Sequence, residues 1–170
     1  KVVDMLANRA SLVVRFQGGN NAGHTLVVGG EEVILHLIPS GILHPKTRCA
    51  IGNGVVLDPV VFLKEVDALT TRDVDASPRR LRISRRTHLI LDYHKRLDAA
   101  RENSLASNSK IGTTGRGIGP CYEDKAARVS VRAGDLEDMD LVRAKVERAL
   151  KEKNALLRDL YGQDPVEPET

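Results

Sequence analysis

Two short segments carry residue types that could do chemistry. The first, Gly18-Gly19-Asn20-Asn21-Ala22-Gly23-His24-Thr25, lies between an apolar run and a hairpin pattern. Glycines let a backbone approach a phosphate closely, asparagines offer amide donors and acceptors, and an imidazole ordinarily titrates near neutrality. A nucleotide phosphate and one acid/base group would both fit there. The same residues also suit a tight turn that needs left-handed backbone angles, with His24 satisfied in a core, and composition does not choose between the two.

The second segment is Ile111 to Lys125, IGTTGRGIGPCYEDK, in which Gly112, Gly115, Gly117 and Gly119 alternate with Thr113, Thr114 and Arg116. Backbone amides, hydroxyls and a guanidinium are the donor types that surround phosphate oxygens. No Gly-Lys-Ser/Thr follows the spacer, so this is not a Walker A loop, and Pro120 spoils the GxGxxG spacing of a dinucleotide fold. An ordinary glycine-rich surface loop would look the same. Arg128, close behind, could bind phosphate or stand idle at the surface.

Other candidates read as structure. His36 alternates with Leu35 and Leu37, and His44, His88 and His94 have no metal-ligand spacing. The arginines at 79, 80, 82, 85 and 86 could draw an anion or nucleic acid, but a solvated edge explains them better.

Positioning these segments requires alternating helix and strand, an α/β pattern. Val2, Val3, Met5 and Leu6 read as a helix, Leu12 to Phe16 as a strand, and Leu26 to Val28 with Val33 to Ile38 as a hairpin around Gly29 and Gly30. Asp58-Pro59 is a helix start, with Val60, Phe62, Leu63, Val66 and Leu69 as its buried stripe. Leu89 to Leu91 reads as a short buried strand, Tyr93 to Leu105 as a helix, and Met139 to Leu160 as a stronger one. Residues 162–170, GQDPVEPET, read as a linker or frayed end.

Composition narrows the classes. In 170 residues, aromatics reach 3% and Trp is absent, which argues against a stacking surface for single-stranded nucleic acid. Residues 1–134 carry 20 basic and 13 acidic side chains, a balance of +7, and residues 135–170 carry 6 and 10, or −4. Anionic ligands are therefore sought in the first part. Cys49 and Cys121 make no disulfide framework or zinc spacing, which fits a reducing, cytoplasmic setting, and no run is long and apolar enough to span a membrane.

Five strings taken together are more specific than any glycine pattern: GGNNAGHT (18–25), LHLIPSGIL (35–43), IGNGVVLDP (51–59), LILDYH (89–94) and IGTTGRGIGPCYEDKAAR (111–128). In content, order and separation they resemble the adenylosuccinate synthetase family. The resemblance implies an α/β fold, a mostly parallel central sheet flanked by helices, P-loop-NTPase-like and here incomplete. It implies GTP-dependent joining of IMP to L-aspartate through a 6-phosphoryl-IMP intermediate, with one magnesium ion per subunit. By the same resemblance His24 is the general acid toward the purine oxygen, and the Gly23 carbonyl ligates magnesium. Gly23, His24 and Thr25 touch the GTP phosphates, while Asn21, Ala22, Gly23 and His24 line the IMP side. Thr114 meets the IMP phosphate, and Arg128 reaches IMP on the partner subunit of a homodimer.

The resemblance also places a catalytic aspartate in a glycine-rich loop ending at Lys1, and the elements that read guanine and grip aspartate after Thr170. The expectation is a partial single α/β domain over 1–170, with exposed apolar surface and no synthetase turnover alone. The competing expectation is a purine-nucleotide-binding module that kept phosphate loops without catalysis.

Overall fold

The computed structural model describes residues 2–28, 30–106 and 112–168. Lys1, Gly29 of the hairpin turn, Ile111 of the second glycine segment and the last two residues of the 162–170 stretch lie outside them. The chain divides into two compact units, 1–87 and 88–170.

The first unit holds helix α1 (Val2–Ala7) and strands β1 (Leu12–Arg15), β2 (His24–Val28), β3 (Glu31–Leu35), β4 (Arg48–Ile51) and β5 (Val56–Leu57), then helix α2 (Pro59–Thr70) and strand β6 (Leu81–Ile83). A three-stranded sheet runs β1-β4-β6, parallel throughout, with Leu12 opposite Arg48 and Cys49 opposite Leu81. β2 and β3 form the expected antiparallel hairpin, His24 opposite Leu35. Val33, Leu35, Ile38, Ile42, Cys49, Leu69 and Leu81 make the core. Strand β6 lies inside the arginine cluster. Arg80 gives this cluster a structural member, its Nη2 donating to the carbonyls of Ile42, His44 and Thr47 at 2.8, 2.7 and 2.9 Å.

Helix α2 begins where Asp58-Pro59 predicts, the Asp58 carboxylate accepting from the Val60 and Val61 amides at 3.0 and 3.2 Å. Its buried face differs from the expected stripe. Val60 and Leu63 are exposed, while Glu65 is buried beside Phe62, Val66 and Leu69. The reason is the Glu65 carboxylate, which accepts from three consecutive amides, His36 at 2.7 Å, Leu37 at 3.1 Å and Ile38 at 3.0 Å. Those amides would otherwise be orphaned as the chain leaves β3, so a charged residue takes a place that an apolar pattern assigns to a hydrophobe.

Close backbone approach fixes the carboxyl end of the sheet. The Gly52 amide donates to the Arg15 carbonyl at 2.8 Å and the Val56 amide to the Gly18 carbonyl at 2.9 Å. A Cβ on Gly54 would stand 1.9 Å from the Phe16 oxygen. Gly54→Ala should therefore force the β1 end and its following loop apart, costing about 2 kcal/mol or more. A urea midpoint that does not move would show the approach is not needed. Along β1 and just past it, Leu12, Val14 and Phe16 are 48, 46 and 69% exposed, so this part of the sheet carries uncovered apolar side chains.

The second unit contains β7 (His88–Leu89), α3 (Asp92–Ser104), α4 (Ile118–Ala127) and α5 (Met139–Ala155), which ends in a widened turn at Leu156–Leu160. Tyr93, Leu97, Ala100, Ala149, Leu150 and Leu157 form its core. Residues 162–168 have no helix or strand. Asn154 exchanges two hydrogen bonds with the Val166 backbone, at 2.8 and 2.9 Å. Among the described residues no helix is long and apolar enough to cross a membrane.

Candidate functional site

The first glycine segment leaves the carboxyl end of β1, the edge of a parallel sheet where α/β folds collect ligands. Gly18 takes φ +84°, a conformation side chains disfavour, and Arg15 holds the turn by donating from Nη2 to the Gly19 carbonyl at 2.7 Å. Asn20 is buried, while Asn21, Ala22, Gly23, His24 and Thr25 are exposed. A Cβ on Gly23 would meet Ile34 Cγ2 at 2.9 Å and His36 Nε2 at 3.2 Å, so glycine there lets the loop close onto β3.

His24 opens β2 and faces a cleft of about 350 Å³, together with Arg15, Gln17, Ile38, Pro39 and Ser40. The volume is of the order of small-molecule sites. The Glu65 carboxylate fixes the far wall through the amides leading to Ile38. His36 is held as expected of a structural residue, its Nδ1 3.6 Å from Glu65 Oε1. The cleft therefore sets the His24 imidazole and Arg15 among the apolar Val13, Val14, Phe16 and Ile38, and among the described residues that line it none is a carboxylate.

Magnesium needs hard oxygen donors, mainly carboxylates, phosphates and water. Gly23 offers one neutral carbonyl, and no group of three or more His, Cys, Asp or Glu among the described residues is placed to hold a metal ion. The donor set described here does not by itself make a magnesium site.

The second unit places Thr114 in the loop before α4 and Arg128 at that helix's C-cap. The helix is ten residues long, and at 1.5 Å per residue it spans about 15 Å. Thr113 and Thr114 are exposed in the loop before α4, and Arg128 is exposed at its C-cap. Arg128 adopts φ 64°, ψ 30°, left-handed backbone that favours glycine over arginine.

A buried polar cluster, not anticipated from the sequence, holds α4 in place. Asp124 accepts from Tyr93 Oη at 2.7 Å and His94 Nε2 at 3.2 Å, and pairs with Lys153 Nζ at 2.8 Å. His94 Nδ1 accepts from the Leu91 amide at 2.9 Å, which leaves Nε2 as the protonated nitrogen. Burial alone would push the Asp124 pKa up, but the bonds from His94, Lys153 and Tyr93 outweigh it and hold the carboxyl at about 2. Burial and the Lys125 and Arg132 charges push His88, bonded to Ser130, down to about 4. Burial raises the Cys49 thiol to about 11 and Cys121 to about 12, so neither is a reactive thiolate at neutral pH. The only sequence signals of the Asp124 cluster are a Tyr-His pair and a lysine inside an apolar helical stripe.

The comparisons with known proteins agree with one another. A sequence model of adenylosuccinate synthetase matches residues 1–170. The adenylosuccinate synthetase of Desulfovibrio desulfuricans is 68% identical over 98% of this chain, and that of Nitratidesulfovibrio vulgaris strain DP4 is 62% identical over 98%. Each match covers 39% of the relative, so the chain spans about two fifths of the length of these curated relatives. Among solved structures, fully ligated adenylosuccinate synthetase from Plasmodium falciparum superposes with a TM-score of 0.81 and 33% identity, covering 95% of this chain and 36% of that one. Cyanophage S-2L succinoaminodeoxyadenylate synthetase, bound to dGMP and to dATP as an energy donor, gives 0.60 and 27%, covering 78% and 37%. The fold is thus α/β, a parallel sheet with flanking helices of the P-loop-NTPase-like kind. On the sequence match over its whole length and on this superposition, the chain belongs to the adenylosuccinate synthetase family.

Proposed function

We propose that this chain supplies part of the site at which IMP and L-aspartate are joined at the expense of GTP, through a 6-phosphoryl-IMP intermediate. The observation that carries the reading is the glycine turn at the carboxyl end of β1, which presents His24 to the cleft beside Arg15. The oxygen on the purine ring leaves poorly, and phosphorylation by GTP converts it into a group that the aspartate amine displaces. His24 holds or delivers a proton at that oxygen. Asn21, Ala22, Gly23 and His24 line the IMP side, and Gly23, His24 and Thr25 contact the GTP phosphates. The Gly23 carbonyl would offer magnesium one ligand, the other donors coming from the nucleotide phosphates, whose charge the ion would offset.

Thr114 contacts the IMP phosphate in this reading, and Arg128 reaches IMP on the partner of a homodimer. The chain is part of a single α/β domain of a larger cytoplasmic enzyme, and the 170 residues alone give no turnover, since among the described residues lining the cleft there is no carboxylate to act as base.

Arg128→Gly separates function from fold. Relief of the left-handed strain should leave stability unchanged or raise it by up to about 1 kcal/mol. Loss of the guanidinium should weaken IMP binding in the dimer about tenfold or more. Thermal melting and IMP titration measure both, and a lowered melting temperature with unchanged IMP affinity would contradict the assignment.

Equilibrium dialysis of the chain against IMP and GTP tests the binding half of the reading. Binding of IMP in preference to inosine is the expected result. Failure to distinguish them would remove the phosphate contacts from the proposal, and GTP hydrolysis by the isolated chain would contradict its dependence on residues elsewhere.

A further inference from the structure

Helix α3 carries two carboxylates one turn apart that receive the two ends of the second glycine loop. Asp98 Oδ2 accepts from the Gly117 amide at 2.9 Å, in a buried setting. Glu102 Oε1, four residues on, accepts from the Gly112 amide at 2.8 Å. Residues four apart share one face of a helix, so both bonds lie along the same edge of α3.

The glycines at the two ends of this loop meet different surroundings. Gly117 takes φ +74° and is pressed against α3, where a Cβ would stand 2.7 Å from the Lys95 amide nitrogen. Gly112, at φ +73°, and Gly115, at φ +63°, have none of the described residues beyond their chain neighbours within 4 Å of the place a Cβ would occupy. Thr113, Thr114 and Gly115 between the tied ends are exposed. The loop is therefore fixed at its ends and open in its middle. The amides of Gly112 and Gly117 are taken by carboxylates, and the exposed Thr113, Thr114 and Gly115 between them face outward where a ligand can reach them.

We infer that Asp98 and Glu102 are positioning residues that hold the Thr113–Gly115 turn ready for a phosphate group, a role that rests on the reading of Thr114 above. As anions they would repel a phosphate, so they act through the loop and not on the ligand. Fixing the loop beforehand removes an ordering cost from binding, the usual gain from preorganisation. A phosphorylated ligand should gain from the pair, and the same ligand without its phosphate should not.

The test uses Glu102→Ala, Glu102→Gln and Asp98→Asn in the full chain, with amide hydrogen exchange and equilibrium dialysis against IMP and inosine. Glu102→Ala should speed exchange at residues 113–116 about tenfold and weaken IMP by a similar factor, the scale of one hydrogen bond to a charged group. Protection within α3 and the affinity for inosine should not change. Glu102→Gln keeps an acceptor oxygen and should restore the wild-type values, and Asp98→Asn should shift both readouts in the same direction by less. Unchanged exchange at 113–116 in Glu102→Ala would overturn the clamp, as would an equal loss of IMP and inosine. Wild-type protein that binds IMP and inosine equally would instead overturn the reading of Thr114, with the exchange result still deciding whether the carboxylates order the loop.

Discussion

Replacing His24 with asparagine in a synthetase that carries this segment should lower turnover about a hundredfold to ten-thousandfold, the usual contribution of a positioned acid or base. Asparagine can still donate a hydrogen bond but cannot deliver a proton to the purine oxygen. The side chain is exposed at the first position of β2 and lines the cleft, and its backbone is paired to Leu35 through the hairpin. Removing the imidazole therefore takes nothing from the core. Melting temperature should stay near the wild-type value, and kcat should fall by far more than KM for IMP rises. A fall in stability, or a rise in KM with kcat unchanged, would assign His24 to packing or to binding alone.

Asp124→Ala should destabilise the protein by about 3–5 kcal/mol, the scale on which breaking one side of a buried ion pair leaves the other charge uncompensated. Asp124 is 1% exposed and Lys153 is 7% exposed, and the mutation also strands the Tyr93 hydroxyl and the His94 Nε2 proton. Asp124→Ala with Lys153→Met should recover part of that loss, because no unpaired charge then remains. The acid limb of the stability profile carries the same information. His88 is held below its ordinary value, so its stabilising share is full above about 6.5 and fades as pH falls toward about 4. The Asp124 carboxyl is likewise depressed, so its share is full above 3.8 and is lost as pH falls through about 2. Denaturant titrations across this range should lose the lower step in Asp124→Ala and keep the upper one. A variant within about 1 kcal/mol of wild type, with both steps intact, would show that the cluster does not anchor α4.

What the sequence made legible follows from how local each signal is. Asp58-Pro59 caps α2 through contacts two and three residues away, and the hairpin pairs neighbours, so both were readable from the chain alone. The turn at 18–25 was readable as a site because its residue types are unusual together. Glu65 carries no local signal of its role, because its partners are amides nearly thirty positions earlier. Helix α4 was hidden in a run rich in glycine, since its start is set by Gly117 docking on α3 and not by a local cap. The parallel strands β4 and β6 are four and three residues long, too short for periodicity to reveal, and β6 sits among arginines. Asp98, Asp124 and Lys153 look like solvated charges in a helical pattern, and only the packing of α3, α4 and α5 shows them buried.

The most direct test replaces the matching segment of the Desulfovibrio desulfuricans relative, 68% identical, with residues 1–170 and follows adenylosuccinate formation from IMP, aspartate and GTP. The account predicts turnover that requires all three substrates and that falls with His24→Asn in the chimera. A folded chimera that binds IMP but forms no adenylosuccinate would contradict it.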